Sequence, residues 1–111
     1  MLLRLNKLYF DILQASRDLE QFTQGKSFVD FDNDRLLQVA VERCFEIIGE
    51  AVARLAREFP EEAEEIPNFR RIIGLRNILA HGYDVVDHRV LWDTLHAEIA
   101  PLIKLVEGKI S

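Results

Sequence analysis

Apolar residues recur at three- and four-residue steps along most of this chain, and no stretch alternates apolar with polar as a half-buried strand does. Leu2, Leu5, Tyr9, Ile12, Leu13, Ser16, Leu19 and Phe22 fall on one helical face, which predicts a first helix over residues 2–24 that Gly25 ends. Residues 26–30 read as a short connection. The cluster Asp30, Asp32, Asn33 and Asp34 offers side chains that accept hydrogen bonds from free helix N–H groups and suit the positive end of the helix dipole, so a second helix is expected to start there. It runs to about Glu58, before Phe59-Pro60. Its stripe, from Leu36, Leu37, Ala40 and Val41 through Cys44, Phe45, Ile47 and Ile48 to Ala51, Val52 and Leu55, is wider than one neighbour needs. A second subunit and a central place in one bundle both account for that width.

Residues 61–65, EEAEE, read as a solvated acidic loop or a short turn leading into the next helix. Pro67 suits the first turn of a third helix, where its missing N–H costs nothing, and Phe69, Ile72, Ile73, Leu75, Ile78 and Leu79 give that helix an apolar face. Gly82 stands where a left-handed residue would close it. Asp87 is placed to cap a fourth helix marked by Val90, Leu91, Leu95, Ile99, Leu102, Ile103 and Val106, and Pro101 is expected to kink it or split off its last turns. The outcome is an all-α, up-and-down four-helix bundle with a short extra turn before the third helix, in a single domain over residues 1–111.

Composition narrows the picture without changing it. At 111 residues the chain is long enough to fold around its own core, and its one cysteine, Cys44, excludes an intrachain disulfide and a cysteine-based zinc site. The apolar N-terminal stretch is broken by Arg4, Asn6, Lys7 and Asp11, which argues for a core helix rather than a signal peptide or a membrane span, and a cytoplasmic setting is expected. A net charge of −5 argues against a protein that wraps nucleic acid with its whole surface. The charge is uneven, however. Residues 70–89 hold Arg70, Arg71, Arg76 and Arg89 against Asp84 and Asp87, which puts that segment at +2 and the remainder at −7. Arginines snorkelling from an amphipathic helix explain Arg70 and Arg71 equally well.

The densest polar chemistry is the run from Arg76 to Tyr83, RNILAHGY, at the end of the third helix. An arginine can bind phosphate, an amide can orient it, a histidine can move a proton and a phenol offers a hydroxyl. On a regular helix Asn77 and His81 share a face, whereas Arg76 and His81 point about 140° apart, so one helix alone does not bring all three groups together. The plainer alternative is that His81 caps the helix and Arg76 pairs with a glutamate. His88 and His96, eight residues apart, are about 12 Å apart in rise and cannot chelate one metal. Trp92 reads as a core or interface residue. No glycine-rich phosphate loop, paired catalytic carboxylates or nucleophilic triad is visible, and no metal or cofactor is expected.

In Arg76, Asn77, His81 and Tyr83, together with the stretches AVERCFEIIGEA (Ala40 to Ala51) and IPNFRRIIGLRN (Ile66 to Asn77), the chain resembles the HEPN superfamily and within it the HepT-like toxins. One departure is Asn68, where the family often has Trp. The resemblance implies the HEPN fold and metal-independent RNA cleavage by attack of a 2′-hydroxyl on the adjacent phosphate. Arg76 and His81 would be catalytic and Asn77 supporting, with Arg70, Arg71, His88 and Arg89 as candidate RNA contacts. It further implies a homodimer or higher assembly in which two motifs face one cleft. It also implies a toxin–antitoxin pairing in which a minimal nucleotidyltransferase of the MntA type attaches AMP to Tyr83. Two alternatives stay open: a non-catalytic module of the same fold that binds a nucleotide or the nucleotidyltransferase, and a plain dimerising bundle without a ligand.

Overall fold

The computed structural model describes residues 2–80 and 86–110, and among these residues four long helices and two short ones form. The long ones are α1 (Leu2–Thr23), α3 (Arg35–Glu58), α5 (Phe69–Ala80) and α6 (His88–Ile110), and no strand occurs among the described residues. The all-α bundle expected from the periodicity is what forms. The short helix α4 (Pro60–Glu64) is the extra turn before the third long helix, with Pro60 in its first turn and Ala63 buried beneath its glutamates.

Cross-links between the helices give their directions. Arg4 pairs with Glu58, and Leu8 and Asp11 line a depression with Ile47 and Arg54, so α1 and α3 run antiparallel. Arg17 meets Glu107 at 2.5 Å while Lys26 lies near Leu95, so α1 and α6 are antiparallel as well. Asn68 reaches Glu98 and Arg71 reaches Thr94, which sets α5 against α6 in the same sense. Side chains of all four long helices meet in one core. Ile12, Leu19, Val41, Ile48, Val52, Leu55, Leu91 and Val106 are each fully buried there. Against this frame α3 is the central helix, packed on α1, α5 and α4. The width of its apolar stripe is thus taken up within the chain, apart from Leu36 and Val39, which are exposed.

Three expectations about where helices begin are corrected. The connection after Gly25 contains a helix, α2 (Phe28–Asp32): Ser27 Oγ accepts from Asp30 N at 3.1 Å, and an Asp30 oxygen accepts from Ser27 N at 2.9 Å. That reciprocal cap satisfies two otherwise orphaned donors, and Phe31, fully buried and stacked on Trp92 at 5.2 Å, anchors the turn. Of the acidic cluster, Asp34 alone caps α3, by accepting from Leu37 N at 3.1 Å. Helix α5 begins at Phe69 rather than Pro67, because Asn68 adopts a left-handed φ of 58°. The Asn68 carbonyl accepts the first helical bonds, and its side-chain amide donates at 2.9 Å to Glu98, which is buried. A tryptophan there would leave that carboxylate without this donor.

Pro101 does not split the fourth helix, which runs without a break from His88 to Ile110. The ring sits on an exposed position between buried Ile99 and Leu102. An interior proline costs about 3 kcal/mol, and fully burying one aliphatic side chain contributes about 1.5–3 kcal/mol, so the residues on the inner face hold the turn together. Asp87 caps this helix as expected, accepting from Arg89 N at 2.9 Å.

One polar atom in the core has no hydrogen-bond partner among the described residues, Ser16 Oγ on α1. Ser16→Ala keeps the packing and removes an unsatisfied hydroxyl, so it is expected to raise stability by about 1 kcal/mol, or roughly 4 °C in Tm. A lowered Tm in thermal unfolding followed by circular dichroism contradicts this.

Candidate active site

Arg76 lies four residues before the end of α5, just past buried Leu75. Its position depends on a missing side chain. Gly49, buried on α3, lets the Arg76 backbone and first carbons come so close that a Cβ built on Gly49 would stand 2.1 Å from Arg76 Cβ. The stem is thereby pinned between two helices, and its head emerges beside the next residue of α3, Glu50. Arg76 Nη2 donates to Glu50 Oε2, and Nη1 donates to Asn77 Oδ1 at 2.8 Å. Glu50 in turn accepts from Arg54, one turn further along α3, at 3.1 Å. The bond from Arg76, reinforced by that from Arg54, holds the Glu50 carboxyl below its ordinary pKa, so it is ionised at neutral pH. The trio carries one net positive charge.

The plainer expectation for Arg76, a salt bridge to a glutamate, is met. It does not exhaust the group, since a guanidinium has five N–H donors and two are used. Of the other residues singled out in the motif, Asn77 is exposed beside Arg76, while His81 and Tyr83 lie outside the described residues.

The remaining basic candidates do not gather at this point. Arg70 pairs with Glu64 at 3.1 Å and lies over the Phe69 ring. Arg71 reaches Thr94 at 3.4 Å and Glu98 at 3.9 Å. Arg89 covers the Phe28 ring at 3.9 Å and approaches Asp93 at 4.0 Å. His88 Nδ1 bonds Asp32 Oδ1 at 2.8 Å and rests edge-on against Phe31. Asp32 is tied to Gln38, at the start of α3, and Glu50 lies twelve residues beyond Gln38, a rise of about 18 Å. His88 and Arg76 therefore mark different levels of the bundle. Trp92 is buried as expected, and His96 lies over it with Nδ1 on the Trp92 carbonyl at 2.9 Å.

Two residues at this site had gone unremarked, Gly49 and Glu50. The signal available was the glycine in IIGEA, inside an otherwise apolar helix, which marks a close backbone approach. Which residue approaches is a matter of helix pairing. Among the described residues no cluster of three or more His, Cys, Asp or Glu side chains could hold a metal ion, and no helix is long and apolar enough to cross a membrane.

Fold and site together define a class: an all-α bundle in which an arginine is pinned near one helix end by a neighbouring helix and held by a carboxylate. Residues 12–108 match the family described as ribonuclease HepT-like. The chain belongs to that family. A Caldanaerobacter subterraneus protein provisionally named an RNase is 42% identical over 96 residues, covering 86% of this chain and 85% of its own. A provisionally named ribonuclease HepT of Thermococcus cleftensis is 41% identical over 92 residues, 83% of each chain. A provisionally named RNase of Methanocaldococcus jannaschii is 36% identical over 107 residues, 90% of this chain and 88% of its own. No solved structure matches the chain.

Proposed function

We propose that this chain is a metal-independent endoribonuclease, the toxin of a toxin–antitoxin pair. The observation that carries the reading is the Arg76 guanidinium, fixed at the family's motif position with donors to spare, in a chain whose relatives are named as RNases. In the proposed reaction a base takes the proton from a ribose 2′-hydroxyl, and the oxygen attacks the adjacent phosphorus. The bond to the 5′-oxygen breaks as an acid protonates that oxygen, leaving a 2′,3′-cyclic phosphate and a 5′-hydroxyl. Arg76 binds the phosphate and stabilises the charge that builds on its oxygens, Asn77 keeps the guanidinium turned toward it, and His81 moves the proton.

One histidine per motif does not readily supply both acid and base, so a homodimer with two motifs at one cleft is part of the proposal. Tyr83, two residues after His81, is the proposed site of AMP attachment by an MntA-like nucleotidyltransferase. A bulky anion there would repel RNA from the arginine.

The second reading, a binding module that holds phosphate without cleaving, gains from the fact that Glu50 and Asn77 already occupy Arg76. The test is incubation of the pure protein with single-stranded RNA in EDTA. Fragments ending in a 2′,3′-cyclic phosphate, absent when the nucleotide at the cut carries a 2′-deoxy sugar, are expected. Intact RNA at protein concentrations that bind it decides for the module.

A further inference from the structure

We propose that Glu50 is the positioning residue of this site: it fixes the direction of the Arg76 guanidinium so that the donors left free face the phosphate. The proposal rests on the ribonuclease reading for its consequence, and on geometry for its cause. An arginine side chain has four flexible torsions, and a charge at its tip is useful to a transition state only when its fork is already turned the right way. Here the near end is immobilised by Gly49, against which Arg76 Cβ is packed. The far end is held on two sides, Nη2 by Glu50 and Nη1 by Asn77. Two anchors on a planar group, added to a pinned stem, restrict its rotation, and so favour one set of directions for the remaining N–H bonds.

A carboxylate beside a phosphate site would normally repel the substrate. Arg54 offsets that, because it donates to the other Glu50 oxygen at 3.1 Å and spreads the charge. Glu50 therefore orients Arg76 without cancelling the positive field. Held ionised by two arginines, it has no proton to give and little tendency to take one, so it acts through Arg76 rather than on RNA.

The experiment compares the native chain with Glu50→Ala and Glu50→Gln, read by steady-state RNA cleavage and by the ¹⁵N side-chain signals of Arg76. In the native protein the two Arg76 Nη signals should be separate and slow to exchange. Glu50→Ala should merge them and lower kcat about tenfold to a hundredfold at little-changed KM, with the folded fraction checked by circular dichroism. Glu50→Gln, which still offers an oxygen acceptor, should restore most of both. Unchanged kcat in Glu50→Ala, or a glutamine variant no better than alanine, overturns the proposal, as do Nη signals that are merged in the native chain. If the native chain leaves RNA intact while its Nη signals are separate and depend on Glu50, the anchoring stands and the ribonuclease reading fails. If it cleaves RNA with merged signals, the reverse holds.

Discussion

Replacing Gly49 with alanine is expected to lower both stability and turnover, although the new residue is the better helix former. On propensity alone the change favours the variant by about 0.5–1 kcal/mol, since glycine inside a helix costs that much relative to alanine. Sterics decide otherwise. The added methyl would lie 2.1 Å from Arg76 Cβ and 2.8 Å from its Cγ, where ordinary carbon contacts need about 3.5–4.0 Å. Both atoms are at the root of the side chain, so no rotamer change of Arg76 escapes the clash. Helices α3 and α5 must move apart by about 1.5 Å, and overpacking of that kind costs typically 1–3 kcal/mol. The net expectation is a loss of about 1–2 kcal/mol, a fall in Tm of roughly 4–8 °C. The same displacement carries the guanidinium off its mark, and a misplacement of about 1 Å can cost a hundredfold in rate. Thermal unfolding and RNA cleavage on the same preparation check both parts. A variant more stable than the native chain and equally active would show that the two helices do not meet as described.

The gap between what periodicity shows and what the site needs is visible in this pair of residues. Helix existence was legible because the apolar positions on α1, α3, α5 and α6 repeat with helical spacing, and because Asp34 and Asp87 are good caps standing just before apolar runs. Helix α2 was legible too, in the Ser27 to Asp30 capping pattern, but five residues give too little periodicity to call attention to it. The start of α5 was not, because a proline suits a first turn equally well whether or not the next residue turns left-handed, and Asn68 does so to reach Glu98 on another helix. The site divides along the same line. Arg76 and Asn77 were singled out by the resemblance to the HepT-like motif, since residue type and spacing alone left a plain salt bridge open. Gly49 and Glu50 acquire their meaning from the face of α3 that meets α5, which no local pattern records. Of the arginines that the sequence sets near the motif, Arg70, Arg71 and Arg89 pair with Glu64, Glu98 and Asp93. A positive stretch of sequence is not a positive patch when acidic partners stand beside its arginines, from other helices for Arg70 and Arg71 and from the same helix for Arg89.

Arg76→Lys is expected to lose RNA cleavage by about a hundredfold or more while the fold persists, and Arg76→Ala and His81→Ala are expected to lose it altogether. For the lysine variant the charge is retained, so a reading in which Arg76 acts only by attracting RNA predicts a small effect. The geometry predicts a large one. A guanidinium reaches Glu50 with one nitrogen and Asn77 with another, and still has donors turned outward. An ammonium is a single point on a flexible stem; beside an ionised glutamate it settles on the carboxylate and presents no planar fork to a phosphate. Binding of RNA should weaken less than turnover, because attraction survives and orientation does not. The side chain of Arg76 is 29% exposed and the pair it forms is near the surface, so its removal should shift Tm by no more than a few degrees. Single-turnover rates, RNA affinity and thermal unfolding measured together separate the possibilities. Lysine activity within threefold of native would reduce Arg76 to a source of charge, and collapse of the fold in the alanine variant would make it a structural residue instead.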